Sequence, residues 1–154
     1  LWDEGEPKKA FEKAINNSNK VAMSLSDLFC VERHKPHFLD LVKNKLDITF
    51  ANEQEIMSLI DVKKFDEVIN FAKEINKLII VTRGKKGAVA INKNEIIECS
   101  AKSNIKIKDL TGAGDLFAGG FLHGLINKKS IRESLEIGTE MSSKVIQIIG
   151  ARLN

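Results

Sequence analysis

Leu78-Ile79-Ile80-Val81-Thr82-Arg83-Gly84-Lys85-Lys86-Gly87-Ala88-Val89-Ala90-Ile91 is the stretch whose reading decides the fold. Residues 78–82 form a continuous apolar run closed by a threonine, the pattern of a parallel strand covered on both faces. A loop with two glycines and three cations follows. Residues 87–91 and 95–99 then flank Asn92-Lys93-Asn94, which reads as a hairpin. One buried strand running into a hairpin places the middle of the chain in a sheet.

Towards the amino terminus, helical and extended patterns alternate. Pro7 opens an Ala/Lys/Glu-rich segment, so a helix is expected over 7–17. A strand is expected over 21–26, a helix over 36–45, a second strand over 47–51 and a short helix over 53–59. Phe65, Val68, Ile69 and Ala72 have helical spacing and predict a helix over 64–75. Towards the carboxy terminus, a short strand is expected over 105–107, with helices over 115–126 and 131–148. Ser130 and Glu133 form a capping box for the last helix. This order predicts an α/β layered domain with a mainly parallel sheet, a late β-hairpin and two C-terminal helices.

Composition narrows the function classes. At 154 residues the chain is long enough for a real core, and 43% hydrophobic with 29% charged residues is ordinary for a globular protein. The net charge of +3 comes from lysines scattered among acidic residues, which argues against a nucleic-acid surface. No apolar run approaches the roughly 20 residues that span a bilayer, and no signal-peptide pattern opens the chain. Cys30 and Cys99 fit no CxxC motif, so a reducing cytoplasm is expected. Cys30, His34 and His37 lack a fourth ligand and are interrupted by Pro36, so they are not read as a metal site. His123 is read as a surface or packing residue, and Trp2 as packing rather than stacking on a base. The opening Leu1-Trp2-Asp3 reads like the middle of a sequence, and a fragment or isolated domain is expected.

The strongest chemical signal is Asp109-Leu110-Thr111-Gly112-Ala113-Gly114-Asp115, continuing as Leu116-Phe117-Ala118-Gly119-Gly120-Phe121. Small residues at 112–114 let the backbone turn with its amides uncovered, directly before a helix whose open N–H groups and dipole favour an anion. Asp115, in the first turn, could meet a substrate hydroxyl; phosphoryl transfer asks mainly for positioning and charge stabilisation. Gly119 and Gly120, inside the helix, each cost about 1 kcal/mol relative to alanine, so something is expected to approach them closely. The alternative is a glycine turn with an aspartate capping a helix. A dinucleotide fingerprint fails at Phe117, and no GxxxxGK[ST] P-loop exists.

Two further motifs each follow a strand. Thr82, Gly84 and Gly87 lie at a carboxyl edge where open α/β sheets bind ligands; otherwise they are a polar loop. Asn52 and Glu55 could organise a hydrated Mg²⁺, or serve as a helix capping box.

Together these residues resemble the ribokinase/PfkB family of carbohydrate and nucleoside kinases. Residues 109–115 are similar to the family's D-T-x-G-A-G-D signature, with Leu110 in place of a usual threonine. Asn52-x-x-Glu55 resembles N-x-x-E, and Thr82-x-Gly84-x-x-Gly87 resembles T-x-G-x-x-G. The resemblance implies that Asp115 is the catalytic base, with the amides of Gly112, Ala113 and Gly114 as anion hole. It implies ATP contacts at Thr82, Gly84 and Gly87, and Mg²⁺ and phosphate organisation at Asn52 and Glu55. It further implies a monovalent cation, K⁺, near Asp109, Thr111 and Gly150. Residues 1–3 and 26–34 look most like bacterial adenosine-kinase-like members. Residues 1–154 then correspond to the carboxy-terminal nucleotide-binding portion, without the amino-terminal substrate and lid portion. The expected partner is a small sugar or nucleoside, with neither nucleic acid nor membrane. Two competing readings are a non-catalytic nucleotide-binding domain, and a structural domain that associates as a homodimer through apolar surface.

Overall fold

A computed structural model describes residues 7–152; Leu1-Trp2-Asp3, with the readings placed on it, lies outside them. The chain divides into two compact units, one containing residues up to Ile79 with Asn92–Asn94, the other containing Ile80–Ile91 and the residues from Glu95 onward. Five strands, β1 (Ala22–Ser24), β2 (Ile48–Asn52), β3 (Leu78–Thr82), β4 (Ala88–Ile91) and β5 (Ile96–Cys99), form one sheet in that order. β1 and β2 are parallel, with Ala22 opposite Ile48, and β4 and β5 form the antiparallel hairpin, with Ala88 opposite Cys99. The expected α/β fold with a late hairpin and two C-terminal helices is the one observed.

In the first unit, α1 (Pro7–Asn16) precedes β1, and α2 (Leu28–Arg33) and α3 (Lys35–Asp40) follow it. The sequence reading missed α2. Only six residues long with one buried side chain, Val31, it has too little apolar period to announce itself. Its stabilising element is local: Asp27 accepts the Cys30 amide at 2.8 Å as N-cap. The helix expected over 36–45 is α3 followed by a π-helical turn over Leu41–Lys45. α4 (Glu53–Leu59) follows β2 directly, and α5 (Phe65–Ile75) ends on left-handed Asn76. Leu25, Val31, Phe38, Leu46, Ile56, Leu59 and Val68 are buried in this unit.

In the second unit, α6 (Ala113–Ile126) and α7 (Ile131–Val145) pack against one another, and α7 also lies on β4 and β5. The capping box of Ser130 and Glu133 is formed, the two residues exchanging backbone N–H bonds at 3.2 and 2.8 Å. The crossing of α6 and α7 is unusually close: a Cβ on Gly120 would meet the Gly138 Cα at 3.0 Å, and one on Gly138 would meet the Phe117 carbonyl oxygen at 2.7 Å. The close approach expected at Gly119 and Gly120 therefore applies to Gly120 alone, since nothing lies within 4 Å of a Cβ at Gly119.

The strand expected over 105–107 does not form. That segment instead runs to the end of α7, where the Lys108 and Asp109 amides both donate to the Ile146 carbonyl, at 2.8 and 3.3 Å. A helix C-terminus has carbonyls without intrahelical partners, and here they capture a segment whose Ile-x-Ile pattern would otherwise suit a strand. Asn104 enters it in the left-handed conformation (φ 59°).

Candidate functional site

The loop after β3 is shaped by Gly87. The Arg83 amide donates to the Gly87 carbonyl at 2.8 Å across a 3₁₀ turn over Gly84–Lys86. Gly87 has φ 91° and ψ −137°, a region open essentially only to glycine. A Cβ there would collide with the Cys99 carbonyl oxygen and lie 2.7 Å from the Ala101 nitrogen, because the chain leaving β5 passes directly over it. Gly84 (φ 56°) faces open space instead. One glycine lets two backbone segments touch; the other leaves room for something else.

The glycine turn before α6 is held from both sides. Asp109 Oδ1 accepts the Thr111 amide at 2.9 Å and the Thr111 hydroxyl at 2.7 Å, while Oδ2 accepts the Gly150 amide at 2.9 Å. The Thr111 amide leads the interactions that hold the Asp109 carboxyl below its usual 3.8, followed by the Gly150 amide and the Thr111 hydroxyl. Gly112 takes φ 78°, where a Cβ would lie 2.8 Å from the Ala151 Cβ. Asp109, Thr111 and Gly150 are thus brought together, and they latch the turn to the residues after α7.

Helix α6 begins at Ala113, two residues earlier than expected, so Asp115 is its third residue. The Leu116 amide returns to the Gly112 carbonyl at 2.9 Å. The Gly114 and Asp115 amides precede any intrahelical acceptor and are open by geometry. Of the three amides expected to form an anion hole, that of Ala113 donates to the Leu110 carbonyl at 3.2 Å. Gly114 is exposed, with nothing within 4 Å of a Cβ. Asp115 is exposed, and its side chain has no hydrogen bond or ion pair among the described residues.

The two loops share a cavity of about 640 Å³. Thr82, Gly84 and Gly87 line one part of it, Leu110, Ala113 and Gly114 another. Ile105, Ile107, Phe117 and Ile146 supply apolar wall, and Thr139, Ser142 and Ser143 hydroxyls. The volume lies within the roughly 300–1,000 Å³ range of small-molecule sites. Sequence reasoning missed the wall from α7 and from 101–107. Thr139, Ser142, Ser143 and Ile146 stand at i, i+3, i+4 and i+7, one helix face, and that spacing was the available signal.

Asn52 and Glu55 belong to the first unit and form the capping box of α4. Asn52 Oδ1 accepts the Glu55 amide at 2.9 Å, Glu55 Oε2 accepts the Asn52 amide at 2.8 Å, and Glu55 Oε1 accepts the Asn52 side-chain amide at 2.6 Å. Glu55 is only 5% exposed, and burial is the main cause that pushes its carboxyl above 4.5, with the charge of Asp27 adding to the rise and the Asn52 amide opposing it. The pair is mutually engaged, and among the described residues no cluster of three or more His, Cys, Asp or Glu side chains could hold a metal ion. Direct coordination of a divalent cation by Asn52 and Glu55 does not fit this arrangement. No described helix is long and apolar enough to cross a membrane.

Known proteins share this architecture. The structure matches a probable sugar kinase of Rhizobium etli (TM-score 0.93, 37% identity) and an adenosine kinase of Sinorhizobium meliloti (TM-score 0.94, 35% identity), each match covering 99% of this chain and 48% of the other. An ATP-dependent 6-phosphofructokinase of Thermoanaerobacterium thermosaccharolyticum is 40% identical over 75 residues, 49% of this chain and 23% of that protein. The chain thus spans about half the length of the solved relatives, and the fold is ribokinase-like. The pattern that defines the pfkB family carbohydrate kinases matches residues 7–154. The chain belongs to that family, and its relatives include the bacterial adenosine-kinase-like members that the sequence resembles.

Proposed function

We propose that this chain supplies the nucleotide site, anion hole and catalytic base of an ATP-dependent kinase that phosphorylates an alcohol group of a sugar or nucleoside. One observation carries the reading: the loop of Thr82, Gly84 and Gly87 and the first turn of α6 open into one nucleotide-sized cavity, with an unpartnered carboxylate, Asp115, in that same turn. The relatives named above are a sugar kinase, an adenosine kinase and a phosphofructokinase, all consistent with an alcohol acceptor.

In this mechanism the triphosphate lies with its terminal phosphoryl group at the amino end of α6. The Gly114 amide, with those of Gly112 and Asp115 beside it and the helix dipole behind, stabilises charge on the transferring group. Asp115 orients the acceptor hydroxyl and takes its proton as the oxygen attacks the terminal phosphorus; the bond to the bridging oxygen breaks and ADP leaves. Asn52 and Glu55 would reach a Mg²⁺ ion only through water. Asp109, Thr111 and Gly150, which the family resemblance associates with a monovalent cation such as K⁺, would take one only beyond the bonds they already make, since both Asp109 oxygens accept from Thr111 and Gly150.

Calorimetric titration of the 154-residue chain with ATP tests the nucleotide site. Binding is expected, and Gly114→Val, which fills the open space over that amide, should abolish it. In a protein completed to the length of the solved relatives, Asp115→Asn should lower turnover by about 10²–10⁴-fold with ATP affinity retained. Near-normal turnover in that variant removes the assigned base. ATP binding without phosphoryl transfer by the completed protein favours a non-catalytic nucleotide-binding domain.

A further inference from the structure

We infer that Lys85 binds the phosphates that the donor nucleotide keeps as ADP, so that its ammonium group steadies the leaving group; this rests on the nucleotide site proposed above and adds a binding residue to it. The loop after β3 carries three cations, Arg83, Lys85 and Lys86. Lys85 is the one that lines the cavity. Arg83 and Lys86 each have an interaction of their own, whereas Lys85 is exposed and makes no hydrogen bond or ion pair among the described residues. It is the middle residue of the 3₁₀ turn over Gly84–Lys86. Backbone bonds close that turn, the Lys86 amide donating to the Arg83 carbonyl at 3.1 Å and the Gly87 amide to the Gly84 carbonyl at 3.0 Å. The backbone under Lys85 is therefore fixed, while its flexible four-carbon side chain is free to swing across the opening.

The same cavity has a second feature that favours anions. Gly114 lines it, and the Gly114 amide at the amino end of α6 is open by geometry. The terminal phosphoryl group is assigned to that end, so a cation on the separate loop after β3 meets the phosphates behind it. An ammonium is a compact charge with three donors, which suits phosphate oxygens. Lys102 also lines the cavity, but its charge is shared with α7: the hydrogen bond and charge of Lys144 hold the Glu140 carboxyl below its usual 4.5, and the charge of Lys102 adds to that effect. Lys85 has no such competitor among the described residues. As the acceptor oxygen attacks, the electron pair of the breaking bond moves to the bridging oxygen, which stays on ADP. Negative charge thus grows on the phosphates beside Lys85, where a fixed cation stabilises it.

The test is calorimetric titration of the 154-residue chain, and of its Lys85→Ala and Lys85→Arg variants, with ATP and with ADP. Lys85→Ala is expected to weaken ATP and ADP alike by about 10–100-fold, the loss of one charge-assisted hydrogen bond. Lys85→Arg keeps the charge and should restore most of that loss. Because Lys85 is exposed, Lys85→Ala should melt within about 2 °C of the parent chain; a larger drop would assign the loss to a damaged loop and overturn the inference. Affinities of Lys85→Ala for ATP and ADP within about threefold of the parent's overturn it and leave the nucleotide site standing. A loss confined to ATP also overturns it, because Lys85 would then face the terminal phosphate alone. So does a Lys85→Arg variant as weak as Lys85→Ala, since charge would not be what binds. Binding of neither nucleotide by the parent chain overturns the site itself, and the inference with it.

Discussion

Replacing Gly87 by alanine should damage the fold, whereas the same change at Gly84, three residues away in the same loop, should damage chiefly the cavity. At Gly87 two costs act together. Its backbone (φ 91°, ψ −137°) lies where a residue with a Cβ is strained by about 1–3 kcal/mol. The added methyl also meets three backbone atoms of Cys99, Ser100 and Ala101, which cannot rotate away, and overpacking of that kind costs about 1–3 kcal/mol more. The sum, about 2–6 kcal/mol, is a large share of the roughly 5–15 kcal/mol that stabilises a domain. At about 2–4 °C per kcal/mol it lowers the melting temperature by about 4–24 °C. Gly84 has only the left-handed penalty, about 1–2 kcal/mol, and its methyl would stand in free space that belongs to the cavity. Thermal melts of both variants, with ATP titration of each, provide the comparison. The reasoning is refuted if Gly87→Ala melts at or above Gly84→Ala, since the Cβ collision would then carry no energetic weight.

Other perturbations separate the remaining interactions. Glu55 has a folded pKa raised above its ordinary 4.5, so its contribution is complete below that value and lost as pH rises through the raised one. Glu55→Gln keeps an acceptor for the Asn52 amide, so denaturant melts from pH 4 to 7 should show the variant gaining on the wild type as pH rises. Asp109 has the opposite sign: its pKa is depressed below 3.8, so its latch is present above that value and lost as pH falls through the folded one. The stability advantage of wild type over Asp109→Asn should therefore vanish in melts carried below that window. Gly119→Ala should stabilise by about 0.5–1 kcal/mol, as expected for an uncrowded helix position, while Gly138→Ala should destabilise by about 1–3 kcal/mol against the Phe117 carbonyl; melting temperatures that move in one direction for both would contradict the packing.

The strands and long helices were legible because their periods are strong. β3 and α4 match their expected bounds, and α5, α7 and the hairpin differ from theirs by at most three residues. α2 was not legible, because six residues stabilised by one Asp27 cap and one buried valine carry hardly any period. Residues 105–107 misled for a different reason: alternation reports which side chains want burial, not which partner the backbone finds, and here the partner is the end of α7. The adjacent pair Gly119 and Gly120 looked equivalent in sequence, yet consecutive residues on a helix point about 100° apart, so only one faces α7. For the candidate site, the glycines and carboxylates assigned to it were visible as motifs. The walls that give them a volume to act in were not, since Thr139, Ser142 and Ser143 mean nothing until α7 is laid beside the turn of α6.

That juxtaposition has a physical origin in two residues that carry no chemistry. Phe117 lines the cavity, and its carbonyl oxygen presses on Gly138 one turn into the crossing. Thr139, Ser142 and Ser143, immediately beyond Gly138 along α7, form the facing wall. The separation between the amide-bearing end of α6 and the hydroxyl-bearing face of α7 is therefore set where Gly120 meets Gly138. A methyl at either position would push the helices apart and widen the cavity beside the first turn of α6. The helix glycines thus act on the proposed function through distance: each lowers the intrinsic stability of its helix by about 1 kcal/mol relative to alanine, and the close crossing they permit fixes the gap that a nucleotide would have to fill.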